Sequence, residues 1–122
     1  MLFNKPKAAH LQTGSKAEQQ ALDYLQQQGL RLVCSNYRCK SGELDLVMKE
    51  AEVLVIVEVR YRKSEQFGGA LASITWQKQQ RIISATQHYV IINKLSQAVI
   101  RFDVVAISGD NRINWIKNAF QT

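Results

Sequence analysis

At 122 residues, 46% of them hydrophobic, the chain is long enough to bury a single-domain core without disulfides or a structural metal. Two Cys and two His are too few for a zinc-finger or four-thiolate site, and no apolar run approaches the ~20 residues of a membrane span. Sixteen Lys and Arg against ten Asp and Glu leave a net charge of +6, which favours nucleic acid, anionic membrane or acidic partners. Because the start of the chain does not resemble a signal peptide, we expect a cytoplasmic protein with reduced cysteines and no membrane association.

The hydrophobic patterns predict an alternation of helices and strands after a basic first segment. Residues 1–12 predict a flexible N-terminal arm, and residues 13–122 predict a single domain. The predicted order is α-β-β-β-α-β-β. Its helices run from Ser15 to about Gln28 and from Ser73 or Thr75 to about Asn93, and its strands cover residues 30–37, 43–48, 53–62, 99–107 and 113–117.

Glu18, near the start of the first helix, has two compatible interpretations. With Ser15 it fits a capping box that opens the helix, while Gly29 marks the end of the helix. Glu18 also shares the helical stripe of Ala21 and Leu25, which should face the sheet. A first-turn carboxylate can accept the backbone hydrogen bond of a cap and still meet a cation.

The rest of the chain is organised around residues 42–62, where two strand-like runs carry carboxylates inside apolar sequence. In the first run, Glu43 and Asp45 lie two residues apart. A regular strand would therefore point both to one face, and Leu44 and Leu46 to the other. Met48 should follow these leucines.

The second run, residues 53–62, begins with five successive apolar residues and predicts a strand that is buried on both faces. Glu58 and Arg60 nevertheless follow on one face of that strand. The short polar segment 49–52 suits a hairpin, which would make the two runs antiparallel neighbours. Asp45 and Glu58 would then lie close enough to share a ligand.

Two predicted loops place basic residues beside tyrosines. Arg38 and Lys40 lie in the turn after the first strand, while Arg62 and Lys63 begin the loop that leads to two glycines. Such side chains are either ordinary solvated loop residues or contacts for phosphates and stacked bases. We predict the second use, as a nucleic-acid-binding surface.

Lys78 and Asp103 each keep two interpretations. Lys78 borders the buried stripe of the second helix, so it is either a snorkelling surface lysine or a group that reaches the carboxylates. Asp103 lies inside a predicted strand, where a structural ion pair with a base such as Arg101 is commoner than a metal-ligand role. The buried stripe of the second helix is predicted at Gln79, Ile82, Ile83, Thr86 and Val90.

The succession of an acid on the first helix, Asp45 on the second strand and Glu58-Val59-Arg60 on the third resembles the PD-(D/E)XK nuclease superfamily, and in it the archaeal Holliday-junction resolvase branch. Nearly the whole chain is also similar to the YraN-like family of uncharacterised bacterial proteins. This similarity rests on the motifs G-E-L-D-L at 42–46, V-E-V-R at 57–60, R-F-D-V-V at 101–105 and W-I-K-N-A-F at 115–120. The resemblance implies an α/β, restriction-endonuclease-like core in which helices flank a mixed central sheet.

A phosphodiesterase needs Mg²⁺ or a similar hard cation, held by carboxylate oxygens with positions left open for water and phosphate. Asp45 and Glu58 supply such ligands for Mg²⁺ or Mn²⁺, and the Val59 carbonyl adds a neutral oxygen. The resemblance implies that Glu18 joins them directly or through water. Glu43 lies about 7 Å along the strand from Asp45, so it fits an outer role or a second metal.

Arg60 departs from the superfamily pattern, whose third motif usually ends in a lysine that orients or deprotonates the attacking water. Arginine cannot release a proton, but its planar fork can hold the phosphate and stabilise charge in the transition state. Lys78 can substitute for the missing lysine if its helix crosses the site.

Three functional hypotheses follow from these residues. The first is a metal-dependent endonuclease that acts on structured or branched DNA, for which the resemblance adds a homodimer as one option. The second is a catalytically inactive nucleic-acid-binding module whose acids pair with Arg60, Lys78 or Arg101. The third is an interaction protein without a nucleic-acid partner, because a net charge of +6 is modest.

Overall fold

A computed structural model describes residues 12–63 and 69–122 and confirms the predicted order of elements, with one added short helix, α2. Gln12 is the only part of the predicted N-terminal arm within these ranges. No helix in them is long and apolar enough to cross a membrane. The elements are α1 (Gln12–Gln27), β1 (Arg31–Cys39), β2 (Gly42–Glu50), β3 (Val53–Arg62), α2 (Gly69–Ala72), α3 (Trp76–Ile92), β4 (Val99–Ser108) and β5 (Ile113–Phe120).

The five strands form one mixed sheet in the order β1-β2-β3-β4-β5. Only β3 and β4 pair in parallel, and the other three neighbouring pairs are antiparallel. Parallel neighbours need a crossover, which α2 and α3 provide here. α3 therefore begins at the end of the sheet where β3 finishes, and Thr75 caps it by accepting a hydrogen bond from Lys78 N–H at 3.1 Å.

Alternate residues of β3 pack into two apolar layers on opposite faces of the sheet. Leu54 and Ile56 pack with α3, whereas Val55 and Val57 pack with α1. All four are buried, which confirms the prediction from the apolar run in β3. An ionisable group in either layer loses its hydration, which is costly. Glu58, the next residue of β3, is also buried, so its carboxylate needs partners that offset this cost.

α1 begins three residues earlier than the sequence predicts. Because Gln12 starts the helix, Ser15 lies inside its first turn, and the predicted start at Ser15 is wrong. The side chain of Ser15, and with it the predicted capping box, lies outside the described part of the structure. The predicted end is confirmed, since Gly29 adopts a φ of +101° and its N–H donates to a carbonyl in the last turn.

A buried acid attaches β5 to the sheet. Asp103 is 0% exposed and accepts hydrogen bonds from Arg101 Nε and Nη2 at 2.9 and 2.8 Å. Trp115 Nε1 and the Asn118 N–H also donate to it, each at 2.9 Å. Asn118 has a φ of +54° where the β4–β5 register shifts, so the carboxylate accepts from a backbone group within that irregular stretch. The predicted structural ion pair of Asp103 and Arg101 is confirmed, and Arg101 also reaches Glu50 of β2 at 2.8 Å.

The substitution Asp103→Asn should lower the free energy of unfolding by about 3 kcal/mol or more, because it removes the charge that balances the partly buried Arg101 guanidinium. Urea denaturation measures this loss. The matched control is Asp110→Asn, at an exposed turn where the carboxylate pairs with Arg112 at 3.0 Å, and its effect should be much smaller. Equal effects of the two substitutions would contradict this account.

Candidate functional site

β2 and β3 separate at the point where the predicted acids lie. Their backbone pairing ends at Leu46 and Val57, although both strands continue beyond these residues. Past that point Asp45 Oδ2 accepts a hydrogen bond from the Val59 N–H at 2.9 Å. The carboxylate of Asp45 thus provides the partner that the backbone of β2 no longer offers.

An irregularity in the neighbouring strand accompanies this separation. Asn36 of β1, which lies across from Asp45, has a φ of +55°. Leu44 packs in the layer under α3, whereas Leu46 packs in the layer under α1. The prediction that Leu44, Leu46 and Met48 share one face is therefore wrong for Leu44, and the change of face falls at the point where β2 leaves β3.

Glu58 is buried beside Asp45 on the face of the sheet that α3 covers. It is 5% exposed, and its nearest cations are Arg60 Nη2 at 3.3 Å and Lys78 Nζ at 3.7 Å from Oε2. The pKa of Glu58 is raised to about 7. Burial is the largest cause, and the charge of Asp45 and a hydrogen bond shared with it act in the same direction, against the opposing charges of Lys78 and Arg60.

Asp45 shares this electrostatic conflict. Burial raises its pKa, the hydrogen bond from Val59 lowers it, and the charge of Glu43 raises it again. Two carboxylates in one desolvated site cannot both ionise at low cost. A divalent cation between Asp45 and Glu58 would relieve that repulsion.

The backbone adds a further oxygen to this opening. The N–H and carbonyl of one strand residue face the same edge, so the Val59 carbonyl points toward the side of β3 where Asp45 lies. Carboxylate and carbonyl oxygens are the ligands that Mg²⁺ and Mn²⁺ prefer. The donor set of Asp45, Glu58 and Val59 therefore fits a hard divalent cation.

Glu18 lies on α1, which packs on the face of the sheet opposite to α3. Within residues 12–63 and 69–122, no three acidic, Cys or His side chains gather as a metal-binding group. The site thus rests on a pair of carboxylates. Such a pair suits Mg²⁺, which keeps several waters and commonly takes only one or two protein carboxylates.

Two cations complete the site. The structure supports the interpretation in which Lys78 reaches the carboxylates, since its ammonium lies near Glu58. Arg60 contacts Glu58 through Nη2, but its buried Nε has no hydrogen-bond partner in the part of the chain that the structure describes. The Arg60 side chain as a whole is 23% exposed, so its guanidinium can also meet an anion such as a phosphate oxygen at the surface.

An open groove of about 410 Å³ adjoins the site between the β1–β2 turn and α3. The cations Arg38, Lys78 and Arg81 line it. Glu43 also lines it and pairs with Arg38 at 3.5 Å, so this acid belongs to the groove rather than to the buried pair. Sequence reasoning missed Arg81, although its spacing of three residues from Lys78 on a helix was a usable signal.

The four basic residues predicted to bind nucleic acid lie at the same end of the sheet as the acidic pair. Arg38 and Lys40 are exposed at the end of β1 and in the turn that follows. Arg62, the last residue of β3, donates to the Tyr61 carbonyl at 3.1 Å, and Lys63 is exposed just beyond it. The placement agrees with a shared surface, and nucleic-acid binding by these residues stays a prediction.

Comparison with known proteins finds close relatives. The pattern of the Uncharacterised protein family UPF0102 matches residues 17–107. A UPF0102 protein of Legionella pneumophila (strain Philadelphia 1) is 54% identical over 109 residues, which cover 88% of this chain and 92% of that protein. A UPF0102 protein of Pseudomonas fluorescens (strain Pf0-1) is 50% identical over 119 residues, which cover 96% and 99%. One from Saccharophagus degradans is 51% identical over 114 residues, which cover 93% and 96%.

The free energy of unfolding of the metal-free protein should fall as pH rises from about 4.5 to about 7. In that window the folded protein keeps a proton on Glu58 that the unfolded chain, with an ordinary glutamate pKa of 4.5, has already lost. Raising the pH therefore removes stability that the bound proton supplied. Urea denaturation in chelator across this range measures the slope, and Glu58→Gln should flatten it. Identical slopes for the two proteins would rule out Glu58 as the titrating group.

Proposed function

The chain belongs to the UPF0102 family, the family of YraN-like proteins that its motifs resemble, and we propose that it is a metal-dependent endonuclease that hydrolyses phosphodiester bonds in structured or branched DNA. One observation carries the proposal: the buried Glu58 and the half-buried Asp45 lie side by side, next to Arg60 and Lys78. Apolar residues at these strand positions would avoid the desolvation of two acids.

The arrangement of elements supports the same proposal. The resemblance to the PD-(D/E)XK superfamily implies a mixed sheet with an acid on the second strand and an acid-x-base motif on the third. Asp45 lies on β2, and Glu58 and Arg60 lie on β3, in a five-stranded mixed sheet between two helices. The basic residues at the same end of the sheet supply a surface that phosphates can approach.

Mg²⁺ or Mn²⁺, when bound by Asp45, Glu58 and the Val59 carbonyl, supplies the positive charge that makes water a better nucleophile and neutralises a phosphodiester. Asp45 is held in position for this role by the Val59 N–H. Glu58 is buried on the face of the sheet covered by α3, where it contacts Arg60 and Lys78.

Arg60 and Lys78 act on the phosphate in this proposal. The Arg60 guanidinium, on a side chain that is 23% exposed, donates to a phosphate oxygen and stabilises the charge that develops there. Lys78 approaches Glu58 from α3 and occupies the role of the lysine that is usual at the end of the third motif. Its ammonium orients the attacking water by donating a hydrogen bond to the water oxygen.

The second candidate is a nucleic-acid-binding module without catalysis. The observation that favours it is the contact of Glu58 with both Arg60 and Lys78, because two cations can balance the acidic pair without a metal. Under this alternative the basic surface still recruits or protects nucleic acid. The remaining alternative, an interaction protein, requires that DNA and RNA do not bind at low salt.

Mn²⁺ or Mg²⁺ should stabilise the wild-type protein by about 2.7 kcal/mol at one hundred times the dissociation constant. Asp45→Asn should abolish this stabilisation and leave the metal-free protein as stable or more stable, because one of two repelling carboxylates becomes neutral. Thermal melts of both proteins with metal and with chelator test this. A wild type indifferent to metal, combined with a destabilised Asp45→Asn, would favour the binding module.

Substitutions at Arg60 separate enzyme from binding module. With Mn²⁺ and a branched DNA substrate, Arg60→Lys should keep or raise cleavage, because lysine restores the usual motif. Arg60→Ala should lower cleavage by about 10²-fold or more, and Glu58→Gln should lower it further. Cleavage is measured against a mock preparation purified in the same way.

The outcomes of this series are distinct. If the site is inert, wild type and all three variants will show no cleavage above the mock preparation and will bind DNA similarly. Activity in Arg60→Lys alone would identify a nuclease one substitution from function. Cleavage that persists unchanged in Glu58→Gln and Arg60→Ala would exclude this assignment of catalytic residues.

A further inference from the structure

A row of side chains lies along the surface of α3 on the side of β1 and β2. The row begins at Lys78, beside the acidic pair. Lys78, Arg81, Ser84 and His88 are spaced by three or four residues, so they lie on one side of the helix over about 15 Å. Arg81, Ser84 and His88 are exposed. The row therefore presents two cations, then a small side chain, then an aromatic ring.

The cationic end of this row forms a fixed groove with the β1–β2 turn. A Cβ added to Gly42 would lie 3.1 Å from the Arg81 carbonyl oxygen, so the turn sits directly against the helix. Arg38 and Lys78 line the same groove, where Glu43 is the acid and pairs with Arg38. Arg81 makes no ion pair within the described ranges 12–63 and 69–122, which leaves its guanidinium available for a phosphate.

The aromatic end of the row is held rigidly. The Tyr37 hydroxyl and His88 Nδ1 share a hydrogen bond. The Tyr37 ring packs edge-on against the buried Tyr89 ring, with centroids 5.1 Å apart and planes at 88°. His88 is therefore an exposed ring whose orientation is fixed by a side chain anchored in the core. A preoriented ring loses little conformational entropy when a base stacks on it.

A positively charged groove followed by an aromatic platform is the arrangement with which proteins bind unpaired nucleic-acid strands. We infer that an unpaired DNA arm lies along α3, with phosphates at Lys78 and Arg81 and a base stacked on His88. This inference rests on the proposed function and specifies its substrate class: branched DNA with a single-stranded arm next to the scissile bond. The row spans up to about four nucleotides at the 3.4 Å spacing of a stacked strand. Bases inside a duplex are already stacked on each other and leave no face for His88.

The test measures binding in chelator, without cleavage, by fluorescence anisotropy. Three labelled probes share one branch point: a fork with an oligothymidine arm, the same fork with an abasic arm, and a fully paired junction. Arg81→Ala should weaken binding of both forks and reduce the slope of log K against log salt by about 0.7, the value for one phosphate of a single strand. The matched control is Arg31→Ala, which removes an exposed arginine from the opposite end of β1.

His88 is tested by its requirement for a base. His88→Ala should weaken binding of the oligothymidine fork by about fivefold, the low end for loss of one stacked base, and should not change binding of the abasic fork. His88→Phe should restore the affinity, because it keeps an aromatic face. Thermal melts confirm that each variant is folded. A purely structural role of His88 would weaken both forks equally and would not be restored by phenylalanine.

Different results would contradict the strand path along α3 and the proposed nuclease activity. If wild type cuts DNA through Glu58 but prefers the fully paired junction, and Arg81→Ala behaves like Arg31→Ala, the strand path is wrong and the nuclease remains. If the arm effects appear but no DNA is cut with Mn²⁺, the path is correct and the nuclease proposal fails. If wild type binds none of the three probes at low salt, the strand path is wrong.

Discussion

The site depends on one hydrogen bond, from the Val59 N–H to the Asp45 carboxylate, at the place where β2 leaves β3. Two antiparallel strands that stayed paired would satisfy this N–H with a backbone carbonyl and would leave no opening. The side chain instead occupies the position of the missing strand. It accepts the hydrogen bond of the Val59 N–H. It also places a carboxylate at the edge of β3 toward which the Val59 carbonyl points.

The second constraint is that Glu58 belongs to the strand at the centre of the sheet. β3 has a neighbour on each edge and an apolar layer on each face, so an acid near its end must lose much of its hydration. The pKa of about 7 expresses this loss, together with the repulsion from Asp45. Arg60 and Lys78 reduce the cost without removing it. A carboxyl group with a pKa near neutrality is stabilised by a proton or by a nearby cation. Such groups are common at binding and catalytic sites.

Sequence reasoning succeeded where a local pattern decides the structure. The apolar run of β3 requires burial on two faces, the segment 49–52 holds the two-residue β2–β3 turn, and Thr75 has a side chain that can cap α3. It failed where contacts distant in sequence decide. The face of Leu44 changes where β2 leaves β3, and no period-two pattern within β2 reveals that separation.

The same distinction explains the candidate site. Asp45 and Glu58 were predictable because acids inside apolar strands are conspicuous, and the short hairpin brings their strands together. The full length of β5, which extends to Phe120, was not predictable because it depends on Asp103 bonding across the sheet to Asn118. Arg81 was missed because its importance arises from the β1–β2 turn, whose contact with α3 is purely tertiary.

Arg60 stands where the superfamily that the chain resembles usually has a lysine, and the position of Lys78 affects what this difference means. Arg60 Nη2 and Lys78 Nζ lie at 3.3 and 3.7 Å from the same Glu58 oxygen, although one residue is on β3 and the other on α3. A lysine at the end of the third motif is useful because it places an ammonium beside the acid pair and the attacking water. In this chain the helix places an ammonium there, while the strand contributes a guanidinium that is better suited to gripping a phosphate. Under the proposed function, Arg60 and Lys78 would therefore divide these two tasks between them, and the absence of the usual lysine is not by itself an argument against catalysis.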